Sequence, residues 1–193
     1  MPTADKDRVK THRFKAEIKQ LLDILIHSVY TSKDVFIREL ISNATDALEK
    51  VRFCQVQGQP IASPDLPLEI RISTRTEGEG EEKDQQQVLV IADTGIGMTD
   101  DEVRANLGTI AHSGATAFLE QLKKSKKDGT DAAPDLSLIG RFGVGFYSVF
   151  MAAEKVVLTT RTAQPEGHPV RWTSTGVGSY TLETLEDDLP RGT

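Results

Sequence analysis

The sequence predicts an α+β domain, with helices early in the chain and hairpin-linked strands late. Three observations carry this. Two helical apolar stripes occupy the first fifty residues, short apolar runs parted by turn residues follow, and no strand–helix–strand unit repeats. A parallel sheet built from repeated crossovers is therefore disfavoured.

Ile18, Leu21, Leu22, Leu25, Ile26 and Val29 stand at helical spacing, which predicts a first helix over 14–29. Thr31 and Ser32 can cap a second helix with the core stripe Ile37, Leu40, Ile41, Ala44, Leu48 and Val51. Gly58, Pro60, Pro64 and Pro67 mark a loop. Residues 68–73 alternate as a strand does, and residues 88–92 form a compact apolar run that reads as a buried strand. The polar stretch between them predicts a hairpin. Thr99 and Glu102 frame a capping box that opens a short helix ending near Gly108. Residues 116–122 read as helical and 123–135 as a polar loop. An apolar run at 146–151 begins a helix. Strands at 155–162, 169–174 and 179–183 complete a meander, with turns at 165–167 and 176–178.

The chain has 193 residues, 38% of them apolar and 27% charged, which suits a globular domain with a real core. The net charge of −6 disfavours nucleic acid and anionic membrane as partners. Cys54 is the only cysteine, so neither an internal disulfide nor a cysteine zinc site can form. The first ten residues are polar with no apolar stretch behind them, unlike a secretory signal. A reducing, cytoplasmic location is expected.

Four features carry chemistry. On the second helix, Glu39, Asn43, Asp46 and Lys50 form a stripe beside the apolar one. Asn and Asp are poor helix formers, so a merely solvated face would more often use Glu, Lys or Gln. After the apolar run comes Asp93-Thr-Gly-Ile-Gly-Met98, a carboxylate followed by alternate glycines. Gly108-Thr-Ile-Ala-His-Ser-Gly114 is a small-residue connection. Gly140-Arg-Phe-Gly-Val-Gly-Phe-Tyr-Ser148 places three glycines before a predicted helix, where backbone N–H groups can face an anion. The spacing is neither that of a P-loop nor that of a dinucleotide-binding fingerprint.

Together with Arg38-Glu-Leu-Ile-Ser-Asn-Ala-Thr-Asp-Ala47, the aspartate loop and the third glycine loop resemble the N-terminal ATPase domain of the heat-shock protein 90 chaperone family. The bacterial HtpG type is nearest, and the resemblance spans nearly the whole chain. It implies a two-layer sandwich, helices on one face of a mixed, mostly antiparallel sheet, known as the GHKL or Bergerat ATPase fold. It implies ATP and ADP as ligands with Mg²⁺. Glu39 would be the general base. Asn43 would coordinate Mg²⁺. Asp93 would accept from the adenine amino group, supported through water by Thr181. Asp46, Gly97, Met98 and Asn106 would line the pocket. Gly143, Val144, Gly145 and Phe146 would offer N–H groups to the phosphates, with His112 nearby. Residues 108–145 would form a lid, and residues 11–14 a strand exchanged between protomers.

Three positions depart from the family pattern: His112 for Lys or Arg, Ala115 for Thr, and Arg141 for Gln. A neutral imidazole at His112 would weaken nucleotide binding or make it pH-dependent. The resemblance further implies that residues 1–193 are a single nucleotide domain. The middle and dimerisation domains would lie outside it, a further strand would follow, and hydrolysis by the domain alone would be feeble. Client proteins and homodimerisation would belong to the longer protein, the domain itself being monomeric. A histidine kinase- or gyrase-like ATPase, and a nucleotide sensor without turnover, are the alternatives.

Overall fold

A computed structural model describes residues 9–13, 35–78, 85–108 and 145–193. The first predicted helix, the predicted helix at 116–122, the polar loop at 123–135, and His112, Ala115, Arg141, Gly143 and Val144 lie outside the described residues, as does nearly all of the predicted lid.

In chain order the elements are β1 (Val9–Arg13), α1 (Val35–Val56), β2 (Ile70–Glu77), β3 (Gln86–Asp93), α2 (Asp100–Leu107), a 3₁₀ helix (Gly145–Met151), β4 (Val156–Thr160), β5 (Val170–Ser174) and β6 (Ser179–Thr184). Among the described residues every strand pairing is antiparallel. One sheet has the order β1-β6-β5-β4, and β2 and β3 form a separate hairpin. The meander and the hairpin are those the turn residues predicted; Gly176 and Gly178 both have positive φ in the β5–β6 turn.

The core lies on one face of the larger sheet. Val170, Trp172 and Ser174 of β5 and Tyr180 and Leu182 of β6 are buried, and their neighbours on each strand are more open, the period of two expected of strands. The 3₁₀ helix covers this face. Phe146 meets Trp172 edge-on at 5.8 Å, and Tyr147, buried beneath it, donates its hydroxyl to the Leu107 carbonyl of α2 at 2.9 Å. Helix α1 packs chiefly on the 3₁₀ helix and then on β3 and β2, with Val35, Ala44 and Val51 buried. The helical layer therefore lies over the sheet as an α+β sandwich. The predicted helix at 146–151 is 3₁₀ in form, tied at its start by the Ser148 hydroxyl donating to the Gly145 carbonyl.

The capping box forms as read: the Glu102 amide donates to the Thr99 hydroxyl at 3.3 Å, and the Thr99 amide to the Glu102 carboxylate at 2.8 Å. Asp100, Asp101 and Glu102 crowd the first turn, where the helix dipole favours negative charge.

β3 departs from expectation. It is half-buried, with Leu89 40% exposed, because among the described residues only β2 lies alongside its length. The two sheets meet at the last residues. The Gly192 and Arg161 backbones exchange both hydrogen bonds at 3.0 Å, and Asp93 and Thr193 do the same at 2.8 and 3.2 Å. Gly192 and Thr193 thus lie as a ribbon between the end of β3 and the residue after β4.

Candidate functional site

Helix α1 presents Glu39, Asn43 and Asp46 on successive turns, Glu39 half-buried and the other two exposed. The helix period alone sets this stripe. Tertiary packing sets what lies against it. Gly145, at the start of the 3₁₀ helix, sits directly over Glu39; a β-carbon there would collide with the carboxylate. Two turns further on, the Ile96 amide donates to the Ala47 carbonyl at 3.0 Å. A β-carbon on Gly95 would fall 2.5 Å from that of Ala47. Glu39 and Ala47 are eight residues apart, about 12 Å along the axis. One helix face is therefore bracketed by Gly145 and the aspartate loop.

The aspartate loop is held by long-range bonds. The Gly95 amide donates to Asp93 Oδ1 at 2.8 Å, turning the carboxylate back over its own loop. The Thr94 hydroxyl accepts from the Glu69 amide at 2.9 Å and donates to the Pro67 carbonyl at 2.6 Å. Gly97 has φ +60°, and a β-carbon there would overlap the Arg161 carbonyl, so the position requires glycine twice over. The Ile96 carbonyl accepts from Ala163 at 2.7 Å, and the Met98 amide donates to Thr160 Oγ1 at 3.0 Å. The Asn106 amide reaches Met98 Sδ at 3.9 Å, which brings these two predicted pocket residues together.

Burial pushes the Asp93 carboxyl above the ordinary carboxylate range, against the pull of the Gly95 and Thr193 amides and of Arg191. Arg191 is itself buried, which lowers it from its usual range while Asp93 draws it back. Its Nη2 donates to the Leu66 carbonyl at 2.9 Å, and its Nε and Nη1 have no hydrogen-bond partner among the described residues.

Thr181 is not brought to Asp93. It lies between the buried Tyr180 and Leu182 on β6, so strand alternation turns it to the opposite face of the sheet. Its register partners are Thr11 and Thr173, and β5, β4 and the terminal ribbon separate it from β3. The threonine paired with Asp93 is Thr193. Only the final bridge to β3 reveals it; its one signal in the sequence is a hydroxyl residue after a glycine at the end of the meander. Phe146 lies at the Gly145 end of the helix face, with its ring in the aromatic core.

A cleft of about 330 Å³ follows the seam between the sheets and includes Arg71, Asp93, Thr160, Arg161 and Arg191; it shares only Asp93 with the predicted site. Another cleft, of about 470 Å³, lies at the far end of α1 around Lys50, Phe53, Cys54 and Ile96. No group of three or more His, Cys, Asp or Glu residues able to hold a metal occurs among the described residues. The α1 stripe instead offers one amide oxygen between two carboxylates. That all-oxygen donor set, too sparse for a protein cage, suits Mg²⁺ held mainly by phosphate oxygens. No described helix is long and apolar enough to cross a membrane.

Comparison with known proteins bears on this arrangement. Residues 30–176 match the family model described as histidine kinase-, DNA gyrase B- and HSP90-like ATPase. The chaperone protein HtpG of Desulfitobacterium hafniense is 50% identical over 188 residues, covering 96% of this chain and 28% of the relative. The chaperone protein HtpG of Alkalilimnicola ehrlichii is 49% identical over 185 residues, covering 95% and 26%. That of Oleidesulfovibrio alaskensis is 45% identical over 182 residues, covering 94% and 26%. The chain thus spans little more than a quarter of the length of these relatives.

Proposed function

The chain belongs to the family of histidine kinase-, DNA gyrase B- and HSP90-like ATPases, and from that premise we propose that residues 1–193 form the N-terminal ATP-binding and ATP-hydrolysing domain of an HtpG-type chaperone. The observation that carries the reading is the helix face bracketed by Gly145 and the aspartate loop, with Glu39 under the first and Ala47 under the second. That span suits a nucleotide lying along the helix, its phosphates toward Gly145 and its base toward Asp93.

Phosphoryl transfer to water is mostly positioning and charge neutralisation. Gly143, Val144, Gly145 and Phe146 would direct backbone N–H groups at the phosphates, with His112 nearby. Glu39 would take the proton of the attacking water. Asn43 would hold Mg²⁺, which when bound neutralises phosphate charge. Asp93 would accept from the adenine amino group; guanine, with an acceptor at that position, would be repelled. Thr193, rather than Thr181, would support Asp93, because the two residues are backbone partners. Gly97 would let the base approach closely, and Asp46, Met98 and Asn106 would line the pocket. The segment 108–145 would close as a lid.

In the longer protein, ATP binding would promote pairing of N-terminal domains, exchange of β1 between protomers and closure of a clamp on client proteins. The isolated domain would be monomeric, cytoplasmic and slow to hydrolyse. Calorimetric titration of Mg-ADP into this chain, with Asp93→Asn as control, tests the reading. Saturable one-to-one binding that the substitution weakens by about ten- to a hundredfold is expected. A folded chain that takes up no ADP at millimolar concentration would overturn it.

A further inference from the structure

Thr160, at the end of β4, is 1% exposed, yet its hydroxyl meets three polar groups. It accepts from the Met98 amide at 3.0 Å, donates to the Gly192 carbonyl at 2.9 Å and lies 2.9 Å from Thr193 Oγ1. These partners are 62, 32 and 33 residues away in sequence, so one side chain joins the aspartate loop, β4 and the terminal ribbon.

A hydroxyl carries one proton. With that of Thr160 given to the Gly192 carbonyl, the Thr193 hydroxyl must be the donor in the third contact. The lone pairs of Thr193 are then left to accept. Register puts them where this matters. Asp93 faces Thr193 across one antiparallel pair, and Arg161 faces Gly192, which sets Thr160 opposite Thr193. Directly opposed residues share a face, so Asp93, Thr193 and Thr160 form one row across three strands. The row continues to the buried Val170, on the core side.

We infer that Thr160 is a positioning residue for purine recognition. It orients the Thr193 hydroxyl as an acceptor beside the Asp93 carboxylate and pins the Met98 backbone, so that this end of the site admits a base presenting an amino donor. This rests on the nucleotide reading above.

The test measures binding of ADP and of inosine diphosphate, which carries an oxygen acceptor in place of the amino group. It uses the wild-type chain, Thr160→Val and Thr160→Ser, with thermal unfolding of each. The wild type should prefer ADP. Thr160→Val, which loses the hydroxyl at nearly constant shape, should lose about tenfold in ADP affinity with inosine diphosphate little changed. Thr160→Ser keeps the hydroxyl and loses a buried methyl, so it should unfold more easily yet keep the wild-type preference. An unchanged preference in Thr160→Val would overturn the inference. So would a folded Thr160→Ser that loses the preference, even if Thr160→Val fails to fold. A wild type that binds ADP while these outcomes occur isolates the failure to Thr160; a wild type that binds no ADP overturns both readings.

Discussion

Helix α1 and the Asp93 seam hold opposite ends of the proposed site by different means. Along α1 the placement of Glu39, Asn43 and Asp46 is local: residues three and four apart share a face whatever else the chain does. At the seam almost nothing is local. Asp93, Gly97, Thr160, Gly192 and Thr193 meet through backbone and hydroxyl bonds between segments far apart in the chain. The helix end can therefore lose a side chain and keep its shape. The seam answers to backbone sterics and to the direction of single hydrogen bonds.

The largest expected effect falls at the helix end and on rate alone. Glu39→Ala should leave ADP affinity within a few-fold and lower ATP turnover by roughly 10²- to 10⁴-fold, as measured by phosphate release. A turnover equal to wild type would sink Glu39 as the base. Gly97→Ala should break the seam. The positive φ costs about 1–3 kcal/mol in itself, and the collision with the Arg161 carbonyl adds to it. Urea unfolding should show the loss, accompanied by weakened ADP binding. Retention of both would mean that the loop has room which the geometry denies.

Asp93→Asn separates binding from stability at the same place. The Asn oxygen can still accept from Gly95, but its amino group would face the donor of the base. An ADP affinity loss of about ten- to a hundredfold is expected, that of a hydrogen bond to a charged group. Burial raises the folded-state Asp93 carboxyl above its ordinary value, so the folded chain binds this proton more readily than the unfolded one. The charged form therefore opposes folding, and this contribution turns unfavourable as pH rises through the window above the ordinary value. At neutral pH Asp93→Asn should accordingly unfold no earlier than wild type. ADP affinity should also begin to fall on acidification while ordinary carboxylates are still charged, because the protonated oxygen no longer accepts. Calorimetry from pH 7 downward checks both the direction and its loss in the variant.

Thr99→Ala is the mildest change and the control for local structure. Removing the cap of α2 should cost about 1 kcal/mol in urea unfolding, with ADP affinity unaltered. A large affinity loss would tie α2 to the site more closely than the Met98–Asn106 contact suggests.

What the sequence pattern carries follows the same division. The α1 stripe, the capping box at Thr99 and the turns at 165–167 and 176–178 depend on neighbours within four residues, and all formed where the pattern put them. The run at 88–92 does not carry its burial in its pattern, since an apolar strand reads as buried whether or not a second neighbour covers it; β3 has one along its length among the described residues. The run at 146–151 reads as helical without saying which helix, and packing of Tyr147 and Ser148 accompanies the tighter 3₁₀ form.

Thr181 and Thr193 mark the limit most clearly. Both are threonines near the end of a strand-rich segment, and composition does not tell them apart. Alternation along β6 turns one outward, and a bridge across a hundred residues sets the other against Asp93. By itself the sequence determined the elements, the glycine loops and the carboxylates they carry, because these follow from spacing and from the short reach of backbone sterics. Only the tertiary structure decided which hydroxyl meets which carboxylate, because strand register and the pairing of distant edges are settled by the fit of the whole sheet.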